Sequence, residues 1–226
     1  MLKYESVSEL TEAAEKRGIK ISELVLEDQA EAMEVTQLEL YEKMEIDLNV
    51  MWESAKAGAK KDQKSMSGLT GGEGFRMHEY VREKNGGLCG SFLGKAIAKA
   101  LSVAGCNASM GRIVAAPTAG SCGILPGCIL TLLEEGKVSE KDAVMAMFTA
   151  GAFGMAAANR ASIAGAQGGC QAECGSAAAM AAAALVELLN RCHGNREKAA
   201  AELGISKTTL WRRMKKYGID RDLSLY

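Results

Sequence analysis

Residues 177–189 are almost unbroken alanine and leucine, interrupted only by Met180, Val186 and Glu187. Such a run is best used as a helix, because alanine has the highest helix propensity. Its small side chain also lets a second helix approach closely. The same bias extends along the chain. Aromatic residues make up only 5% of the 226 positions, so alanine, glycine and methionine must fill the interior. Nowhere does apolar–polar alternation persist long enough to propose a strand. The fold class expected is all-α: a closely packed helical domain followed by a small helical unit at the C-terminus.

Caps and breakers divide the chain into helices at 8–17, across 22–60 with one or two breaks, and at 75–84, 91–105 and 124–135. Gly136 turns the chain and Ser139 caps the next segment, one or two buried helices within 143–163, before the last long helix at 177–190. The start, Met1-Leu2-Lys3-Tyr4-Glu5, is charged and unlike a signal peptide. The run at 177–189 is shorter than the ~20 apolar residues that span a bilayer. A cytoplasmic protein with no membrane partner is expected.

Two domains are expected, 1–192 and 193–226. The tail carries a net charge of +4 and the remainder −5, an asymmetry that suggests different partners for the two parts. Within the tail, Asn195 opens one helix, Gly204 makes a turn and Ser206 caps a second helix. Ala199, Leu203, Ile205, Leu210 and Met214 would form its small core. Lys207, Thr208, Thr209, Arg212, Arg213 and Lys216 would face outward. This pattern resembles the Fis-type helix-turn-helix, and the resemblance implies DNA binding through those six residues. Thr208, Thr209 and Arg212 would lie nearest the base edges, with Arg213 and Lys216 on phosphates. A homodimer would read two half-sites.

Three short runs interrupt the helices, and each has chemistry. Residues 165–176 hold four glycines with Cys170, Glu173 and Cys174, and read as a loop around a cofactor. Residues 115–127 place Cys122 between Pro117 and Pro126, a stiff loop bearing a thiol. Residues 64–72 carry Ser65, Ser67 and Thr70 among Gly68, Gly71 and Gly72, with hydroxyls and backbone N–H groups suited to a small anion such as a carboxylate. The seven cysteines include no Cys-x-x-Cys pair, which argues against zinc ribbons and thioredoxin-like motifs. Only His78 and His193 are available as histidines, so histidine-rich metal sites are poorly supported. His78 lies close enough in sequence to the 64–72 run to be considered as a base. Cys89, Cys106, Cys128 and Cys192 lack a loop context and read as buried, inert thiols.

Taken in order, the three runs resemble the alpha subunit of the iron-sulfur-dependent bacterial L-serine dehydratase (L-serine ammonia-lyase), over residues 1–190. The resemblance implies an all-helical catalytic domain around a [4Fe-4S] cluster acting as a Lewis acid, with L-serine as substrate and a beta subunit or domain as partner. It implies Cys122 and Cys170 as cluster ligands. Cys174, four residues after Cys170, is either the third ligand or a neighbouring thiol. Ser65, Ser67 and Thr70 are the catalytic-loop candidates, and Ser67, Gly68, Thr70 and Gly71 would hold the substrate. The family's Cys-Asp-Pro segment and its beta-type Ser-Ser-His motif occur nowhere in the chain. Three functions therefore stand side by side: a dehydratase alpha subunit, a DNA-binding regulator whose serine dehydratase-like domain senses serine or cluster state, and a chain whose tail is a packing hairpin.

Overall fold

The computed structural model describes residues 4–190, 200 and 206–216. Among these there is no strand, and the elements are helices α1 Val7–Arg17, α2 Ile21–Ala32, α3 Gln37–Gly58, α4 Glu73–Glu83, α5 Gly90–Ala108, α6 Ile124–Glu134, α7 Glu140–Arg160, α8 Gly165–Asn190 and α9 Lys207–Lys216.

The boundaries follow local chemistry. Ser6, rather than Ser8, caps α1 by accepting from Glu9 N–H at 3.2 Å, and Gly18 ends it in the left-handed region at φ 65°. The long helical region breaks once, at 33–36. There Glu34 takes φ 55°, and Thr36 and Glu39 form a reciprocal capping box at 2.8 and 3.1 Å that starts α3. Ser139 caps α7 through Asp142 N–H at 3.2 Å. Of the one or two helices expected within 143–163, the structure has one, α7.

α5 packs against α3, α4 and α6, while α7 packs against α8 and α2, and α6 joins the two groups through α8. Leu24, Leu48, Met51, Val103, Ile129 and Val144 are completely or almost completely buried in the shared core. Small residues make the approach close, as composition requires. A methyl group on Gly58 would sit 1.7 Å from Ser102 O, so α3 and α5 touch backbone to backbone. By length and composition the stretch Gly87–Ala108 could cross a membrane, yet here Ala98, Val103 and Cys106 of it are buried against neighbouring helices. Lys99 of the same helix is 4% exposed and paired with Glu134.

One expected loop is corrected. Residues 165–176 lie within α8, which kinks at Gly169, φ 72° and ψ 174°. Glycine costs about 1 kcal/mol per helical position. Gln171, Ala172 and Glu173 favour helix, and Ser176 Oγ donates to Ala172 O at 2.7 Å, so the helical ladder wins after the kink. In the tail, Ser206 Oγ accepts from Thr209 N–H at 3.1 Å and opens α9, as expected. The turn at 201–205 and the helix expected from Asn195 lie outside the described residues, Ala200 excepted.

Candidate functional site

Two of the three runs are fastened to the C-terminal end of α5, and the third packs on one of them. Gln63 Nε2 donates to Gly105 O at 2.6 Å, and Met66 N–H donates to Ala108 O at 3.0 Å, fastening the 64–72 run to that end. Asn107 Nδ2 donates to Ala119 O at 3.0 Å, fastening the 115–127 run to it as well. The 3-10 turn Ala119–Ser121 of that run packs in turn on α8. Glu173 makes this contact close: a methyl on Gly120 would lie 2.8 Å from Glu173 Oε2, and one on Gly165 would lie 2.7 Å from the same oxygen. Gln63, Asn107 and Glu173 therefore assemble the centre. The only signal in the sequence for Glu173 is its place in the 165–176 run, between the two cysteines.

Within the 64–72 run the hydroxyls are organised. Ser65 Oγ lies 3.1 Å from Ser67 Oγ and accepts from Thr70 N–H at 3.2 Å. Gly68 reverses the chain at φ 70°. The backbone N–H groups are less free than expected. Gly68 N–H donates to Ser65 O at 2.9 Å, Gly71 N–H to Glu73 Oε1 at 3.0 Å and Gly72 N–H to Gln63 Oε1 at 3.3 Å. What this run presents to solvent is the hydroxyls of Ser67 and Thr70 together with the apolar side chains of Met66 and Leu69.

The thiols divide by burial. Cys122, 1% exposed, follows the 3-10 turn, and burial pushes its thiol pKa up to about 11. Cys106 lies near enough to add to that effect and is itself buried, its thiol also raised by desolvation. Cys170 and Cys174 are exposed on α8. Cys128 is half-buried and its thiol is raised by burial, whereas Cys89 is exposed, contrary to the buried thiol expected; Cys192 lies outside the described residues. Thiolates are the right donors for an iron-sulfur cluster. The arrangement here does not fit one, because among the described residues no three His, Cys, Asp or Glu side chains converge as metal ligands. His78 faces elsewhere: burial, and then the Lys99 ammonium, hold its imidazole below the usual range.

A family model, serine dehydratase alpha chain, matches residues 16–209. The chain belongs to that family. The match runs past residue 190, where the resemblance was expected to stop. The chain is 38% identical over 203 residues to the probable L-serine dehydratase alpha chain of Bacillus subtilis, covering 90% of this chain and 66% of that protein. It is 40% identical over 181 residues to the L-serine dehydratase alpha chain of Peptoniphilus asaccharolyticus, covering 80% and 62%. An L-serine dehydratase of Mycobacterium tuberculosis is 46% identical over 105 residues, 45% of this chain and 23% of that protein. This serine dehydratase alpha-type chain thus spans less than two thirds of the length of the first two relatives. No solved structure is significantly similar to it.

Proposed function

We propose that this chain is the alpha subunit of an L-serine dehydratase, converting L-serine to pyruvate and ammonia together with a beta-type subunit or domain. The observation that carries this reading is that two of the three runs are fastened to one end of α5 and the third packs on the turn of the second, in a chain of this family. Ser67 and Thr70 would donate their hydroxyls to the substrate carboxylate, with Ser65 holding both in place through its bonds to Ser67 Oγ and Thr70 N–H. Gly68 and Gly71 would let the substrate approach that loop closely. Loss of the α-proton and of the β-hydroxyl as water leaves an enamine, which tautomerises and hydrolyses to pyruvate and ammonia. Cys122, Cys170 and Cys174 are the proposed ligands of a [4Fe-4S] cluster in the assembled enzyme. In the isolated chain Cys122 is buried and Cys170 and Cys174 are exposed.

The test is anaerobic co-production with a beta-type partner, followed by a coupled assay for pyruvate. L-serine should be turned over, and exposure to air should abolish turnover. Activity that survives air and requires pyridoxal phosphate overturns the reading.

One observation favours a second role for the tail. α9 begins at the expected cap, and Lys207, Thr208 and Arg212 on it are exposed, with Thr209 half-buried at Ser206 and Arg213 and Lys216 further along the same helix. This supports a DNA-binding unit, whose affinity would fall steeply with salt; a two-domain division at 192/193 is proposed with it, and the family match runs across that boundary to residue 209. A low-salt gel shift by the intact protein, lost in the Arg212→Ala, Arg213→Ala variant, is expected. No shift by either protein, or equal shifts, leaves α9 as a packing element.

A further inference from the structure

A cavity of about 470 Å³ opens between the N-terminal ends of α2, α3 and α7 and the C-terminal end of α8. None of the three cysteine- and serine-bearing runs lines it. Its walls carry both signs of charge: Lys20 and Lys141 on one hand, Glu23, Asp142 and Glu187 on the other. Leu26, Leu38, Met145 and Leu188 give it an apolar side. The volume falls within the range of small-molecule sites, about 300–1,000 Å³.

One of its polar groups is costly without a partner of opposite charge. Glu187 stands in the last turn of α8, where the helix dipole disfavours an anion. It is also largely withdrawn from water, which holds its carboxyl above the ordinary range. The Thr149 hydroxyl donates to it, and Thr149 is itself buried. Ser22, with no exposed surface, lies behind Glu187, close enough to favour its anion from the protein side. Glu23 is partly occupied, since it accepts from Lys20 N–H at 3.0 Å. That leaves Glu187 as the acceptor facing the interior and Lys141, exposed at the rim, as a cationic group.

We propose that this cavity binds a free α-amino acid, at a site distinct from the centre at the end of α5. The ammonium would sit on Glu187, the carboxylate toward Lys141 and Lys20, and the side chain against the leucine and methionine wall. A simple anion would meet three acids, and a simple cation two lysines; a zwitterion satisfies both sets. The ammonium on Glu187 also supplies the opposite charge that burial denies it.

The test uses the intact, cluster-free chain, so that no turnover is involved. Glycine, L-serine, L-alanine and L-leucine, at millimolar concentration, are titrated by calorimetry, with acetate and methylamine as half-ligand controls. At least one amino acid should bind and neither control should. Binding should weaken by about tenfold or more in Lys141→Ala and in Glu187→Gln, as expected for loss of a charged hydrogen-bonding partner. Lys141 is exposed, so its variant stays informative if Glu187→Gln fails to fold. Cys89→Ser, outside both the cavity and the serine loop, should bind as the parent does. The proposal is overturned if no amino acid binds, if Lys141→Ala binds as tightly as the parent, or if Ser67→Ala alone loses binding, which would place the ligand on the serine loop.

Discussion

Replacing Gly58 with alanine tests the close-packed helical frame on which the site rests. The added methyl would lie 1.7 Å from Ser102 O, 2.5 Å from Ser102 C and 3.0 Å from Cys106 N. All three are backbone atoms of α5, so no side-chain rotation relieves the clash. Restoring ordinary contact requires the α3 end to withdraw from α5 by about 1.5 Å, and a gap of that size forfeits at least half of the local dispersion energy. Gly74 of α4 meets the same place, since a methyl there would lie 2.4 Å from Ser102 Oγ, so the disturbance reaches three helices. Overpacking typically costs about 1–3 kcal/mol, and a clash against backbone belongs at about 3. Alanine returns up to about 1 kcal/mol in helix propensity, leaving a net loss of about 2 kcal/mol or more. For a chain of this size each kcal/mol moves Tm by about 2–4 °C, so a fall of about 4–8 °C is expected. Thermal unfolding followed by circular dichroism reads this directly. Gly151→Ala is the control. It has open space within 4 Å and lies inside α7, so it should be neutral or stabilising. A Gly58→Ala variant as stable as the parent would mean that α3 and α5 do not approach as described.

Two further outcomes rest on the burial of titratable groups. Alkylation of the native cluster-free chain at mildly alkaline pH, mapped by mass spectrometry, should label Cys170 and Cys174 well before Cys122, whose thiol is inaccessible and shifted up to about 11; equal labelling of Cys122 contradicts its placement. Burial raises the Glu187 carboxyl above its ordinary range, so the folded chain holds that proton to higher pH than the unfolded chain, and the stability it contributes is lost as pH rises through the interval. Glu187→Gln cannot lose a proton, so its Tm relative to the parent should climb as pH rises above the ordinary glutamate range; a difference that stays flat refutes this.

Much of the frame is legible in the sequence because its signals are local. Ser139, Ser206 and Gly136 mark helix ends by their own chemistry, and the alanine run at 177–190 has no other good use. The 165–176 run reads as a loop in the sequence for a physical reason: its glycines favour one, but contact between Glu173 and the Gly120 turn, distant in sequence, supports helix. Glu173, Gln63 and Asn107 gain their roles only from tertiary contacts. The cavity at the other end of α8 is hidden for the same reason, because Ser22 and Glu187 meet only once α2 and α8 have docked. The order of the three runs does point to one centre, although which backbone groups are free within it depends on Gln63 and Glu73.

We infer that assembly with the beta-type partner draws the Cys122 turn and the Cys170–Cys174 segment, which among the described residues do not converge as ligands in the chain alone, into one iron-sulfur centre. Anaerobic reconstitution of the intact protein with its beta-type partner, iron and sulfide, read by visible absorption and iron content, tests it most directly. The account predicts a brown chromophore with one cluster's worth of iron per alpha chain, lost on Cys122→Ser and on Cys170→Ser separately, and retained on Cys89→Ser. A chromophore that survives both single substitutions, or none in the parent under conditions where it makes pyruvate from L-serine, would contradict it.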